Sequence, residues 1–234
     1  MLFYLIFILL ILIFILTNVV LQKKIIKDSF KNDNIKILVI ICSHEFSIKN
    51  RDNIKVLNNF MVNLPNIKVD YCGISNINDF HNYENIIPFK YKVVNKNKQF
   101  SKICDFITDN KKELNYDWFI KIRPDVKLIE MFDFNLLSNK AINARARLYR
   151  GPKKIKYGMS VNGEGIWKNI GDCFYNNYEK EVILDDILYI FHNNVVKMGA
   201  FDKIPKTELE NEWFHTKIWK NRKIDLNVIH IYIT

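Results

Sequence analysis

Three groups of residues in this 234-residue chain have the types and spacing to do chemistry. The first is Arg123-Pro124-Asp125, which closes the apolar run Trp118-Phe119-Ile120-Lys121-Ile122. Proline lacks an amide donor and pushes its predecessor towards extended geometry, so strand pairing is expected to stop there. Ligands of open α/β sheets sit at the carboxyl ends of strands. A carboxylate delivered to that place, Asp125, could hold Mn²⁺ or Mg²⁺, with substrate phosphates completing the shell. Arg123 points the same way as Asp125 in extended chain and could meet a phosphate bidentately or pair with a neighbouring acid. The plainer reading of Asp125 is a solvated turn residue.

The second group is Asp185-Asp186. Leu184, Ile187, Leu188, Phe191 and Val195 recur at helical spacing, which predicts a helix with Asp185, Tyr189 and His192 on one stripe. Its bland reading is a solvated face, or first-turn acids favoured by the helix dipole. The third group is basic: seven Lys or Arg and no acid lie between Asp133 and Glu164, with Arg145 and Arg147 among them. Such a segment could grip a diphosphate, lie on an anionic membrane, or be a solvated charge run.

The elements around these groups alternate. Residues 35–41 (IKILVII) read as a strand buried on both faces, and Ile54, Leu57, Phe60, Met61 and Leu64 as a helix stopped by Pro65. Strands are expected over 69–74 and 86–94, the latter pushed to an edge by Pro88. A helix over 100–114 precedes the strand 118–123. Strand, helix, strand, helix, strand is the pattern of an α/β fold with a parallel sheet. Further on, a strand is expected over 141–148 and a helix over 207–221, opened by the capping box Thr207 to Glu210. A last strand is expected over 227–233.

Residues 1–21 carry no charge and are dense in Leu, Ile and Phe, long enough to span a bilayer as an uncleaved signal-anchor helix. Residues 22–34 read as a short polar stalk, and 35–234 as a single domain. Lys23, Lys24, Lys27 and Lys31 follow the span. By charge bias alone they put the body in the cytoplasm, whereas many anchored enzymes of the secretory pathway place theirs in the lumen. The net charge of +10 suits anionic partners, yet Asn, Ile and Lys abound throughout, so charge is no argument for nucleic acid. The four cysteines form no CxxC pair, which argues against a zinc knuckle or redox motif; Cys42 and Cys72 are expected to pack as small hydrophobes.

The α/β half leading into WFIKIRPDV resembles the nucleotide-sugar-binding half of GT-A-type glycosyltransferases. In that family a short acidic motif at a central strand's end, often Asp-x-Asp, binds the metal and the donor diphosphate; some branches carry Arg-x-Asp. The resemblance implies a Rossmann-like GT-A sandwich with a mostly parallel central sheet. It implies hexosyltransferase-like transfer from a nucleotide-diphosphate sugar to a hydroxyl of a glycan, protein or lipid. Asp125 inherits the role of ligand to Mn²⁺ or Mg²⁺, and His230 that of a C-terminal histidine completing the shell. Asp185 or Asp186 inherits that of an acid that clamps the acceptor or takes its proton. His44 falls where the nucleotide base is expected, and Arg123, Arg145 and Arg147 are the candidates to bind the substrate's phosphates. The chain departs from the pattern in lacking the first acid of Asp-x-Asp and in being short. Those departures suit the alternative reading, a non-catalytic membrane-tethered module that binds anions or glycans.

Overall fold

The computed structural model describes residues 34–149, 165–167, 173–175, 178–204, 214–229 and 231–233. The chain divides into two units at Asn34. The anchor and stalk expected over residues 1–21 and 22–34 fall in the first unit, where residues 1–33 lie outside the described residues. Among the described residues no helix is long and apolar enough to cross a membrane.

The first strand, β1 (Ile35–Cys42), has a single charge in eight residues and is buried throughout residues 37–42. The chain then forms α1 (Arg51–Val62), β2 (Ile67–Ser75), the single turn α2 (His81–Glu84) and β3 (Phe89–Val94). It continues through α3 (Gln99–Asn110) into β4 (Trp118–Ile122), all of whose residues are buried. Helix α1 buries Ile54, Leu57 and Met61 on one stripe, as the spacing predicts. Strand β3 starts just after Pro88 and lies at the sheet edge, where a missing amide donor costs no ladder bond.

The second half adds β5 (Ala141–Tyr149), β6 (Gly165–Trp167), β7 (Cys173–Tyr175), β8 (Tyr178–His192), α4 (Asn193–Lys197), α5 (Phe214–Asn221) and β9 (Asp225–Val228). The sheet order is β3-β2-β1-β4-β8-β5-β9-β6, with β7 pairing β8 beside that path. Strands β1 to β4 are mutually parallel, β8 runs against both β4 and β5, β9 is parallel to β5, and β6 reverses again. Six of the eight strands on the path, β1 to β5 and β9, therefore share one direction. The architecture is a Rossmann-like α/β layering. One core face packs α3, α4 and α5 through Ile103, Phe106, Val195 and Trp219; the other packs α1 and α2 through Ile54, Leu57 and Tyr83.

One expectation is overturned outright. The helix foreseen over 184–195 is the strand β8, followed only by the short α4. Strand β8 fills the slot between β4 and β5 and makes antiparallel ladders to both. Tyr189 and Phe191 enter one core face while Leu188 and Ile190 enter the other, so residues 188–191 have no polar face to show period two. A run apolar on both faces fits a helical template as well as a strand; its aromatic and β-branched residues favour the strand. The stripe of Asp185, Tyr189 and His192 goes with the helix. The closing strand is also shorter than foreseen: β9 ends at Val228, and Ile233 makes only an isolated bridge with Leu128. Thr207 and its capping box lie outside the described residues. Cys42, Cys72 and Cys104 are free and buried.

Candidate functional site

The chain leaves β1 to lay β2 and β3 on one side, then returns to lay β4 on the other. That reversal is a topological switch point, and in open α/β sheets ligands bind in the crevice it opens at the carboxyl ends of the strands. Here that crevice receives Ser43 and His44 after β1, Asn76 after β2, and Arg123 and Asp125 after β4.

The loop after β1 is held by packing and by hydrogen bonds. Phe46 is fully buried, with ring centroids 5.0 Å from Tyr83, 5.5 Å from Phe80 and 5.8 Å from Phe89. Gly73 of β2 makes this possible, since a Cβ there would stand 2.9 Å from Phe89 and 3.0 Å from Phe46 and Phe80. The Phe46 amide donates to Asp79 Oδ2, and Asn82 Nδ2 donates to the Phe46 carbonyl at 2.8 Å. The His44 carbonyl accepts from the Asn76 amide at 3.0 Å and from Ser75 Oγ at 3.2 Å. His44 is thereby fixed at the mouth, exposed, with its Nδ1 3.3 Å from Asn76 Nδ2.

Beneath this loop lies a cation that sequence reading missed. Lys102 of α3 has no exposure, and its Nζ donates to the Ser43 carbonyl at 2.7 Å and to Asn76 Oδ1. Both acceptors are neutral, and burial depresses its basicity. Lys121, in the middle of β4, is also buried; its Nζ donates to the Asp186 carbonyl and lies 5.3 Å from the centroid of the Tyr189 ring. Burial pushes the Cys42 thiol up to about 11, against the fields of Lys121, Lys102 and Arg123, so three cations converge on the end of β1. The signal was a lysine inside an apolar run (WFIKI) and another on the helix face that carries Ile103 and Phe106.

Pro124 and Asp125 form a turn in place of the extended chain expected, and across it Arg123 and Asp125 meet each other. Arg123 Nε donates to Asp125 Oδ1 at 2.9 Å, and Nη2 donates to Oδ2. Partial burial works to raise the Asp125 carboxyl, but Arg123, with help from Lys121, outweighs it and holds the group below the usual carboxylate range. The turn is fixed from α1, where Asn53 Nδ2 donates to the Pro124 carbonyl at 3.1 Å.

The edge facing this turn comes from β8. The Arg123 amide donates to the Ile187 carbonyl at 3.1 Å, which sets residues 185–187 beside the end of β4. The β5–β8 register steps from Ala144↔Tyr189 to Ala146↔Leu184, so Arg145 alone stands opposite residues 185–188. Ile187 and Leu188 both pack on the same core face, which marks the break in alternation. Bulges of this kind re-aim side chains beside functional sites. Backbone placement thus gathers His44, Arg123, Asp125, Arg145 and the half-buried Asp186 at one end of the sheet. Arg147 pairs with Ile183, farther along the ribbon. The side chains of Asp185 and Arg147, and all of His230, lie outside the described residues.

The described residues do not fit a divalent ion as they stand. Both oxygens of Asp125 hold the Arg123 fork, and Lys121 adds a second positive field at the same carboxylate. Among the described residues no three His, Cys, Asp or Glu side chains cluster as a ligand set. A separate pocket of about 190 Å³, lined by Lys36, Lys68, Asp70, Lys90 and Tyr116 among others, lies at the opposite, amino-terminal end of β1 to β3.

No family model matches the chain, and no curated protein matches it. Among solved structures, the crystal structure of A197 from STIV is similar over 85% of this chain and 84% of that chain, at 12% sequence identity and a TM-score of 0.44. A likeness of that depth says nothing of activity.

Proposed function

We propose that the chain is a glycosyltransferase of the GT-A kind, moving a sugar from a nucleotide-diphosphate donor to an acceptor hydroxyl at the crevice between β1 and β4. The observation that carries this reading is the placement of Arg123 and Asp125 at the carboxyl end of β4, on the switch point of the sheet. Arg123 is a planar, permanently charged donor suited to phosphate oxygens, and it stands where a diphosphate would have to pass. His44 and Asn76, tied to each other at the neighbouring strand ends, would take the nucleoside. Asp186, on the facing edge of β8, would meet the acceptor.

In this reaction the acceptor oxygen attacks the anomeric carbon and the bond from that carbon to the diphosphate oxygen breaks. Asp186 takes the hydroxyl proton, and the nucleoside diphosphate leaves with its developing charge facing Arg123. The fork that now binds Asp125 opens towards the departing phosphate, so Asp125 holds the guanidinium ready between turnovers.

Thermal unfolding of the full-length chain with UDP-, GDP- and CDP-sugars tests this proposal, because a ligand that binds the folded state raises its apparent stability. One nucleotide class raising the midpoint, with its sugar-free diphosphate doing the same, is expected. A folded sample that none of them stabilises would return the chain to the tethered binding module.

A further inference from the structure

We infer that the donor diphosphate is held by the chain's own cations, with Arg123 in the place where a divalent ion would stand, and that binding needs no metal. This inference rests on the transferase reading and sharpens it. Three observations point to it independently.

The first is the geometry of Arg123 and Asp125. A carboxylate that serves a divalent ion must offer an oxygen to it, and hard cations of this kind take oxygen ligands at close to 2 Å. Both oxygens of Asp125 are instead engaged by one guanidinium, Nε to Oδ1 at 2.9 Å and Nη2 to Oδ2. A dication at Asp125 would have to displace a permanent positive charge that is covalently fixed two residues away.

The second is a buried cation under the strand ends with neutral groups as its hydrogen-bond partners. Lys102 is wholly buried, and its bonds go to a backbone carbonyl and to a side-chain amide, so no acid among the described residues neutralises it. Burying a charge without an opposite partner costs several kcal/mol in real proteins. A site that must accept a multiply charged anion recovers that cost when the anion arrives, whereas a site that must accept a dication pays it twice. Lys121, buried on the next strand, adds to the same field at Cys42.

The third is the chain path. Arg145 stands alone opposite the irregular stretch 185–188 of β8, at the same end of the sheet as Arg123. It brings a further cation to the facing side of the crevice. The positive groups therefore come from α3, β4 and β5, three separate elements whose strands and helix direct them to one end.

The test is calorimetric titration of the full-length protein with UDP, GDP, CDP and inorganic pyrophosphate, each in EDTA and again in Mn²⁺. At least one nucleoside diphosphate should bind in EDTA, and Mn²⁺ should change its Kd by less than about threefold, within the screening expected of surface charge. R123M should weaken binding in EDTA by about tenfold or more, the loss of one charge-assisted bidentate contact. D125N should change it less than R123M, because in this account Asp125 positions the arginine and touches no ligand. The reverse order would overturn the inference. Binding that appears only with Mn²⁺ overturns it too, while leaving the transferase reading standing. No nucleotide binding in either buffer, with the fold verified by its melting transition, overturns both.

Discussion

The two ends of the parallel sheet carry similar charged residues and use them differently. At the amino-terminal end Lys90 Nζ donates to Asp70 at 2.8 Å and to the Tyr116 hydroxyl at 2.8 Å, and that hydroxyl donates to Asp70 at 2.7 Å. Lys90 has its opposite charge there, and Asp70 answers for two partners. At the carboxyl-terminal end Lys102 has only neutral acceptors, and Lys121 and Arg123 crowd the same strand ends. A closed cluster is structural, whatever the size of its pocket. The other end differs in that its buried Lys102 is answered by neutral groups alone.

That comparison can be broken in several places. The largest effect is expected from D186N, which removes the candidate base: turnover should fall about 10²–10⁴-fold with donor affinity unchanged, read by steady-state kinetics. Equal loss of affinity and turnover would make Asp186 a donor contact instead. Next, R123M should lower turnover by about 10²-fold, as for loss of one preorganised donor to developing charge. D70N at the other end should leave turnover at the parent level. If D70N and R123M cost the same, the two ends are not different in kind.

Lys102 separates stability from binding. K102M should reduce nucleotide affinity about tenfold while leaving the folding free energy within about 1 kcal/mol of the parent, since relief of the buried charge offsets the lost bonds to Ser43 and Asn76. Because burial lowers the Lys102 pKa in the folded state, the unfolded chain holds the proton to higher pH. Stability from this residue therefore rises with pH between its depressed value and the ordinary lysine value of about 10.4. Denaturant titrations across that window should show the parent gaining on K102M.

The smallest effect belongs to Asp70. Burial works to raise its carboxyl, but Lys90 and Tyr116 prevail and hold it low. Its contribution is present above the ordinary carboxylate value of about 3.9 and is lost as pH falls through the depressed one. With half of the Lys90 side chain exposed, screening limits the cost of D70N to about 0.5–1 kcal/mol. That difference from the parent should vanish in acid.

The parallel half was legible because its elements announce themselves by period and punctuation. The stripe of Ile54, Leu57 and Met61 gives α1, the apolar run over residues 35–41 gives β1, and Pro88 and Pro124 mark an edge strand and the end of a buried one. The second half departs at β8 for a physical reason: the stretch 188–191 is buried on both faces and has no polar side, so its period is hidden. The acid pair Asp185-Asp186 stands out in an apolar stretch whether that stretch is helix or strand. Arg123 and Asp125 were found as separate candidates, but their mutual fork was not, because only side-chain geometry shows which acid an arginine chooses. Lys102 and Lys121 were passed over because a lone lysine in an apolar pattern reads as an interruption, and what makes them informative is the neutrality of the acceptors around Lys102.

The central claim is that the crevice between β1 and β4 turns over a nucleotide sugar. Release of the nucleoside diphosphate from UDP-, GDP- and CDP-sugars by the full-length chain, alongside D186N and R123M, tests it most directly. Release from one donor class, lost in both variants, is the predicted result. No release from any donor by a folded parent chain, or release that both variants retain, would contradict it.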